Sequence, residues 1–325
     1  MGYHCIEYGR MKKNQGLMWQ WHAMFISIVI TVVIYVALSL YAGWHDISKI
    51  LMQIGWWGLM IALILSLLNY FLRFIRWQYY LYHLGYSIAH GVSWRIYLSG
   101  FALTTTPGKA GEMVRSIFLT QKGIPASVSV AAFISERLSD LIAIVLISCI
   151  GLLAYPSMRI PILISIILIL ICWAGLMYPP ITQLLCQIAQ RQTNVFGKLL
   201  EKIIGILTQI KKCHNIKILS LTTILSVVAW SMEAWAFYWL LHWCDVNVNY
   251  QFAFFVYAVS MLVGALSFVP GGLGGAEATM ISLLVYHGVD THTALAITLF
   301  IRLTTLWFAV VLGSIAFVRQ SRDKI

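Results

Sequence analysis

Long, uninterrupted apolar runs decide what this chain can become. Residues 23–44 carry no charged side chain, and at 1.5 Å per residue they cover the roughly 30 Å of a bilayer's hydrocarbon core. Similar runs occupy 55–82, 126–155, 161–178, 218–243 and 293–318. Only helices and closed barrels satisfy backbone polar groups in lipid. These runs are continuous rather than alternating every second residue, so they read as helices. The expected fold is an all-α polytopic membrane protein with about six spanning helices. With 60% hydrophobic and 10% charged residues, no stretch supports a soluble domain.

Two further apolar segments, 97–120 and 253–286, are interrupted by Pro107-Gly108-Lys109-Ala110-Gly111 and by Pro270-Gly271-Gly272-Leu273-Gly274-Gly275. Each half is too short to cross alone. The segments read as two re-entrant, broken helical hairpins, the alternative being four short or tilted spans.

The formal net charge of +11 would suit nucleic acid, but the basic residues sit in short loops and at the ends of apolar runs, where they orient helices. With a cytoplasmic N-terminus and hairpins that do not cross, only Lys49 and Arg159 fall outside among the loop cations. Both termini are therefore expected in the cytoplasm and the protein in the cytoplasmic (inner) membrane of a prokaryote. Residues 1–22 form a cytoplasmic segment, 23–318 the membrane domain and 319–325 a cytoplasmic tail. Arg73 and Arg76 lie among Trp77, Tyr79, Tyr80 and Tyr82 and read as snorkelling to an interface. Residues 181–217 alternate apolar residues with lysines, as an amphipathic helix on the cytoplasmic face or a plain connector would. Six cysteines without a CxxC pair indicate free thiols, and no metal or cofactor is expected.

An internal repeat organises the membrane domain. The shift that carries Glu112 onto Glu277 also carries Leu119 onto Leu284, Gly123 onto Gly288, Arg137 onto Arg302 and Leu141 onto Leu306. Apolar composition alone would not align rare charges. Repeat units at 55–155 and 218–318 are separated by an odd number of crossings, so they form an inverted repeat, as in secondary transporters. A cavity between the hairpins follows.

Charged groups at membrane depth are costly and must be paired or face water. The candidate substrate-binding residues are therefore Lys109, Gly111, Glu112, Arg115, Glu136, Arg137, Asp140, Gly272, Gly274, Glu277 and Arg302. In one reading the arginines only neutralise the carboxylates. In the other, a half-helix begins after each Pro-Gly break, and its free N–H groups, with Lys109 and Arg115, bind a phosphate or carboxylate. No nucleophile elbow, Walker loop, GxGxxG or HExxH signature is present, so no catalytic residue is assigned.

The runs Thr106-Pro-Gly-Lys-Ala-Gly-Glu-Met-Val-Arg115, Glu136-Arg-Leu-Ser-Asp140 and Pro270-Gly-Gly-Leu-Gly-Gly-Ala-Glu277 with Arg302 resemble the lysylphosphatidylglycerol synthase transmembrane region family, also described as flippase-like. The resemblance covers roughly 23–318. It implies a single flippase-like domain that handles an anionic or glycosylated lipid, phospholipid or polyprenyl-phosphate-linked, and moves it between leaflets. Larger members add a soluble domain that aminoacylates phosphatidylglycerol; this chain ends soon after its last span, so that chemistry is not expected. The alternatives are a membrane subunit or enzyme of lipid-linked glycan or envelope lipid biosynthesis, or a non-catalytic scaffold for an envelope-biosynthesis enzyme.

Overall fold

The computed structural model describes residues 44–151, 159–190, 195–267, 269–272 and 274–322, with positions 29 and 33. The expected N-terminal segment 1–22 and almost all of the first expected span lie outside the described residues. Helices dominate the rest, and no strand occurs among the described residues.

Helix α1 (Trp44–His83) is broken at Gly55, whose φ of 62° lies in the left-handed region open to glycine. Hairpin one follows as α2 (His90–Phe101), a 3-10 segment (Pro107–Val114) and the short α3 (Arg115–Thr120). Then come α4 (Ala126–Ser148), α5 (Arg159–Met177), α6 (Pro179–Gln190), α7 (Val195–Cys213) and α8 (Ile216–Trp243). Hairpin two is α9 (Tyr250–Leu266), a 3-10 turn (Pro270–Gly272) and α10 (Gly275–Tyr286). A final helix is built from α11 (Thr291–Arg302), a π turn (Leu303–Trp307) and α12 (Phe308–Arg322).

Three helical stretches are long and apolar enough to cross a bilayer: Met52–His83, Ile216–Trp243 and Thr291–Arg322. Helix α4, with 23 residues, is about 35 Å long but carries Glu136, Arg137 and Asp140. The helices form an all-α membrane protein. Two details add to the expected layout. The stretch 181–217 is two helices, α6 and α7, packed on each other, with α7 lying along α4. Helix α12 runs to Arg322, so the expected tail begins in helical conformation.

The repeat is written into the turns. After α1, Tyr86 N donates to Leu81 O (2.9 Å); after α8, Val246 N donates to Leu241 O (3.0 Å). Gly85 (φ 88°) and Asp245 (φ 57°) take the left-handed position of these two helix ends. After α3, Ile124 N donates to Leu119 O, and after α10, Val289 N donates to Leu284 O, both at 3.1 Å, with Gly123 and Gly288 left-handed. Asn249 and Asp290 cap the starts of α9 and α11 through their side chains. Amide donors from Thr293 and His292 hold the exposed Asp290 carboxyl below the usual carboxylate range.

The two long repeat-opening helices run antiparallel. Gln53 Nε2 donates to Asp245 Oδ2 (2.5 Å), Gly58 lies against the Trp243 ring, Asn69 Nδ2 donates to Ala229 O (2.8 Å) and Arg76 donates to Ser226. As the number rises along α1, its partner on α8 falls. The equivalence set by the two turns carries Asn69 onto Ala229, so their bond lies on the pseudo-two-fold axis. An axis relating antiparallel helices is perpendicular to both, which in a bilayer places it in the membrane plane.

Apolar burial follows the same division. One buried cluster gathers α8, α9, α10, α11 and the end of α4 around hairpin two. The other gathers α1, α2, α3 and α12 around hairpin one, with Phe74, Trp77, Trp94, Tyr97 and Phe101 in mutual ring contact. The two 3-10 breaks touch each other between the clusters.

Candidate functional site

Where the breaks meet, the helices converge on a lattice of buried charge. Asp140, on α4, accepts from Arg76 Nη1 (2.5 Å) and Trp230 Nε1 (3.0 Å), with Arg137 Nη2 at 3.2 Å and Arg73 Nη2 at 3.6 Å. One turn earlier Glu136 accepts from Arg115 Nη2 (2.9 Å) and lies 3.9 Å from Arg76 Nη2. Glu112, in the first break, accepts from Thr104 Oγ1 (2.9 Å), with Arg115 Nη2 at 3.4 Å and Arg137 Nη2 at 3.5 Å. Spacing on α4 explains the convergence, since Glu136, Arg137 and Asp140 sit within one turn of each other.

Arg73 and Arg76 do not snorkel. They are 5% and 0% exposed, because α1 passes through the middle of the molecule and brings them to the carboxylates of α4. Charge at bilayer depth requires partners, and that signal could have found them; the aromatic residues around them instead suggested an interface.

The second repeat holds a smaller cluster. Arg302 Nε donates to Glu277 Oε1 (2.7 Å), and its Nη2 donates to Gly271 O (2.7 Å), so Arg302 ties α11 to hairpin two. Glu277 also accepts from Gly274 N (2.8 Å) through its other oxygen. Glu233, from α8, accepts from Tyr257 Oη (2.5 Å).

Six cations (Arg73, Arg76, Lys109, Arg115, Arg137 and Arg302) and five carboxylates (Glu112, Glu136, Asp140, Glu233 and Glu277) thus meet in the middle of the membrane domain. With all ionised, one positive charge is in surplus.

A cavity of about 270 Å³ opens between the breaks. Thr106, Lys109, Arg137, Asp140, Trp230 and Arg302 supply its polar wall, and Leu141, Ile144, Met261, Leu266, Val269 and Leu306 its apolar one. Lys109 has a φ of 56°, a conformation costing about 1–3 kcal/mol for a non-glycine residue and common at functional sites. Its ammonium stands 5.7 Å from the Trp230 ring centroid, and no carboxylate lies within ion-pair distance of it among the described residues. Arg137, at 21% side-chain exposure, is more open than Arg73, Arg76 or Arg115.

Three of the backbone amides expected to face an anion at the breaks have partners within the protein. Gly111 N donates to Thr106 Oγ1 (2.6 Å), Gly272 N to Val269 O (2.9 Å) and Gly274 N to Glu277. Their glycines have packing reasons: a Cβ on Gly272 (φ 68°) would meet Gly264 backbone at 3.2 Å, and one on Gly111 would collide with Leu103. Proline at the start of the first break opens a 3-10 segment instead of a half-helix, and α3 begins only at Arg115. Arg115 also turns away from the cavity, into the aromatic cluster, where its guanidinium lies 5.0 Å from the Tyr97 ring centroid. Of the candidates, Lys109, Arg137, Asp140, Gly272 and Arg302 line the cavity, while Gly111, Glu112, Arg115, Glu136, Gly274 and Glu277 stand behind it. Trp230 and Met261 are lining residues that sequence reasoning missed, because neither stands out in a chain this apolar.

Two antiparallel helical repeats, each interrupted by a 3-10 break beside a part-polar cavity, define an all-α, multi-pass membrane protein. The chain belongs to the lysylphosphatidylglycerol synthase TM region family, whose model matches residues 24–313. It is similar to a UPF0104 membrane protein of Methanothermobacter thermautotrophicus, 25% identical over 90% of this chain and 92% of that protein. Similar UPF0104 membrane proteins occur in Pyrococcus horikoshii, 22% identical over 92% of this chain and 97% of the relative, and in Methanocaldococcus jannaschii, 28% identical over 69% and 95%.

Proposed function

We propose that this protein carries an anionic membrane lipid, a phospholipid or a polyprenyl-phosphate-linked one, between leaflets, with the headgroup in the cavity and the tails in the bilayer. The observation that carries the reading is the mixed lining of the cavity, in which Lys109, Arg137 and Arg302 stand among aliphatic side chains. Charge-assisted contacts from Arg and Lys suit a phosphate, and Lys109, with no carboxylate partner among the described residues, has capacity to spare. The side chains, not the backbone amides, make the contacts. The membrane is the cytoplasmic one, with both termini inside and the hairpins re-entrant.

Reconstitution tests the reading. Liposomes containing the purified protein and a fluorescent anionic phospholipid, or a fluorescent polyprenyl-phosphate, are expected to exchange label between leaflets with no added enzyme. Exchange no faster than in protein-free liposomes for both lipids refutes it.

A further inference from the structure

A second, smaller chamber adjoins the cavity, sharing Lys109, Trp230, Met261, Arg302 and Leu306 with it. Its volume of about 40 Å³ exceeds what one water needs. The chamber lies on the pseudo-two-fold axis. Three pairs of repeat-equivalent residues line it: Tyr70 with Trp230, Arg73 with Glu233, and Phe101 with Met261. Residues on that axis keep the same depth whichever side the cavity opens to, so the chamber is at the midplane of the membrane.

At one of these equivalent positions the first repeat has a cation, Arg73, and the second a carboxylate, Glu233. Asp140 already accepts from Arg76 and Trp230 and lies near Arg73. Glu233 is 5% exposed, and the hydrogen bond it accepts among the described residues comes from the neutral Tyr257 hydroxyl. The titratable and charged groups around it are Tyr70 and Arg73 on α1, Lys109 in the first break, Tyr257 on α9 and Arg302 on α11, with Asp140 beyond Arg73.

We propose that Glu233 is a proton-binding site that couples lipid movement to the proton gradient: its carboxylate takes one proton from water entering the chamber and releases it to the other side. Protonation leaves Tyr257 a phenol and removes one negative charge, so the cationic surplus around the cavity rises from one to two. The cavity then holds a lipid phosphate more firmly, and loss of the proton loosens it. Buried carboxylates at bilayer depth serve as proton relays in pumps and transporters. The inference rests on the lipid-carrying reading, and its test separates the two.

Proteoliposomes with fluorescent phosphatidylglycerol are given a one-unit pH gradient with the membrane potential clamped at zero. One proton per lipid predicts up to about ten-fold accumulation of label in one leaflet, and Glu233→Gln is expected to abolish that bias. Infrared difference spectra between acid and alkaline protein are expected to show a protonated carboxyl band that Glu233→Gln lacks. Should the variant fold poorly, Tyr257→Phe gives the second arm: it removes a donor to the ionised carboxylate, so half-protonation moves to higher pH. An unchanged gradient response in Glu233→Gln, or an unchanged midpoint in Tyr257→Phe, overturns the coupling. A Glu233 band with lipid stationary in every protein refutes the lipid reading and the coupling together, while the proton site stands.

Discussion

Replacing Asp140 by Asn is expected to damage this protein more than neutralising Lys109 on the cavity wall. In the native lattice Asp140 accepts a 2.5 Å bond from Arg76 and a 3.0 Å bond from Trp230, and lies within 3.6 Å of Arg73 and 3.2 Å of Arg137. Asparagine keeps the shape but leaves two nearly inaccessible guanidiniums, Arg73 and Arg76, with Glu136 as the remaining nearby carboxylate of α4. Breaking a buried pair by removing one partner costs about 3–5 kcal/mol, mainly through the uncompensated charge left behind. Thermal unfolding of detergent-purified protein, followed by size-exclusion chromatography after heating, is the assay. The added change Arg76→Met removes the orphaned charge, so the double variant is expected to recover part of the loss. An Asp140→Asn protein as heat-resistant as the native one, or a double variant less stable than the single, refutes the reasoning.

Lys109→Gln is expected to weaken binding of anionic lipid by about 1.5–3 kcal/mol for a lost charge-assisted contact while leaving thermal stability unchanged; tryptophan quenching on lipid titration checks the first, a melting curve the second. Arg115→Ala should behave the opposite way, losing stability because Glu136 and Glu112 lose a shared partner, and intact stability contradicts its placement behind the cavity. Gly272→Ala forces a left-handed residue against Gly264, and is expected to cost roughly 1–3 kcal/mol, read as a lower unfolding temperature. Cysteines introduced at Ser87 and Asn247, both exposed in equivalent turns, should react with an impermeant thiol reagent from opposite faces of the membrane; labelling from one face alone is incompatible with antiparallel repeats.

Much of the architecture was legible because lipid narrows the choices. Run length and continuity marked α5 and α8, and the aligned charges Glu112, Glu277, Arg137 and Arg302 exposed the repeat before any geometry was known. The pairing of Arg302 with Glu277, and of Arg137 with Glu112 and Asp140, followed from the cost of lone charge in hydrocarbon. The conformation of the breaks was not legible. Glycine and proline announce an interruption but do not say whether the freed amides face a ligand, a threonine or a carbonyl, and here Thr106, Val269 and Glu277 take three of them. Nor does a periodicity argument reach Arg73 and Arg76, whose partners lie far along the chain on α4. The antiparallel crossing at Asn69 and Ala229 likewise comes only from tertiary packing.

The π turn at Leu303–Trp307 has a mechanical side. It holds one residue more than an α-helical path of the same run needs, and a carbonyl inside it, that of Thr305, accepts from the Tyr70 hydroxyl on α1. The turn is therefore slack in an otherwise taut rod, hooked to the opposite repeat. If the slack slid along the rod, α12 would rotate by about 100° against α11, the angle one residue occupies in an α-helix. Tyr70 would lose its hook, and Arg302, at the end of α11, would keep its grip on hairpin two while α12 turned beneath hairpin one.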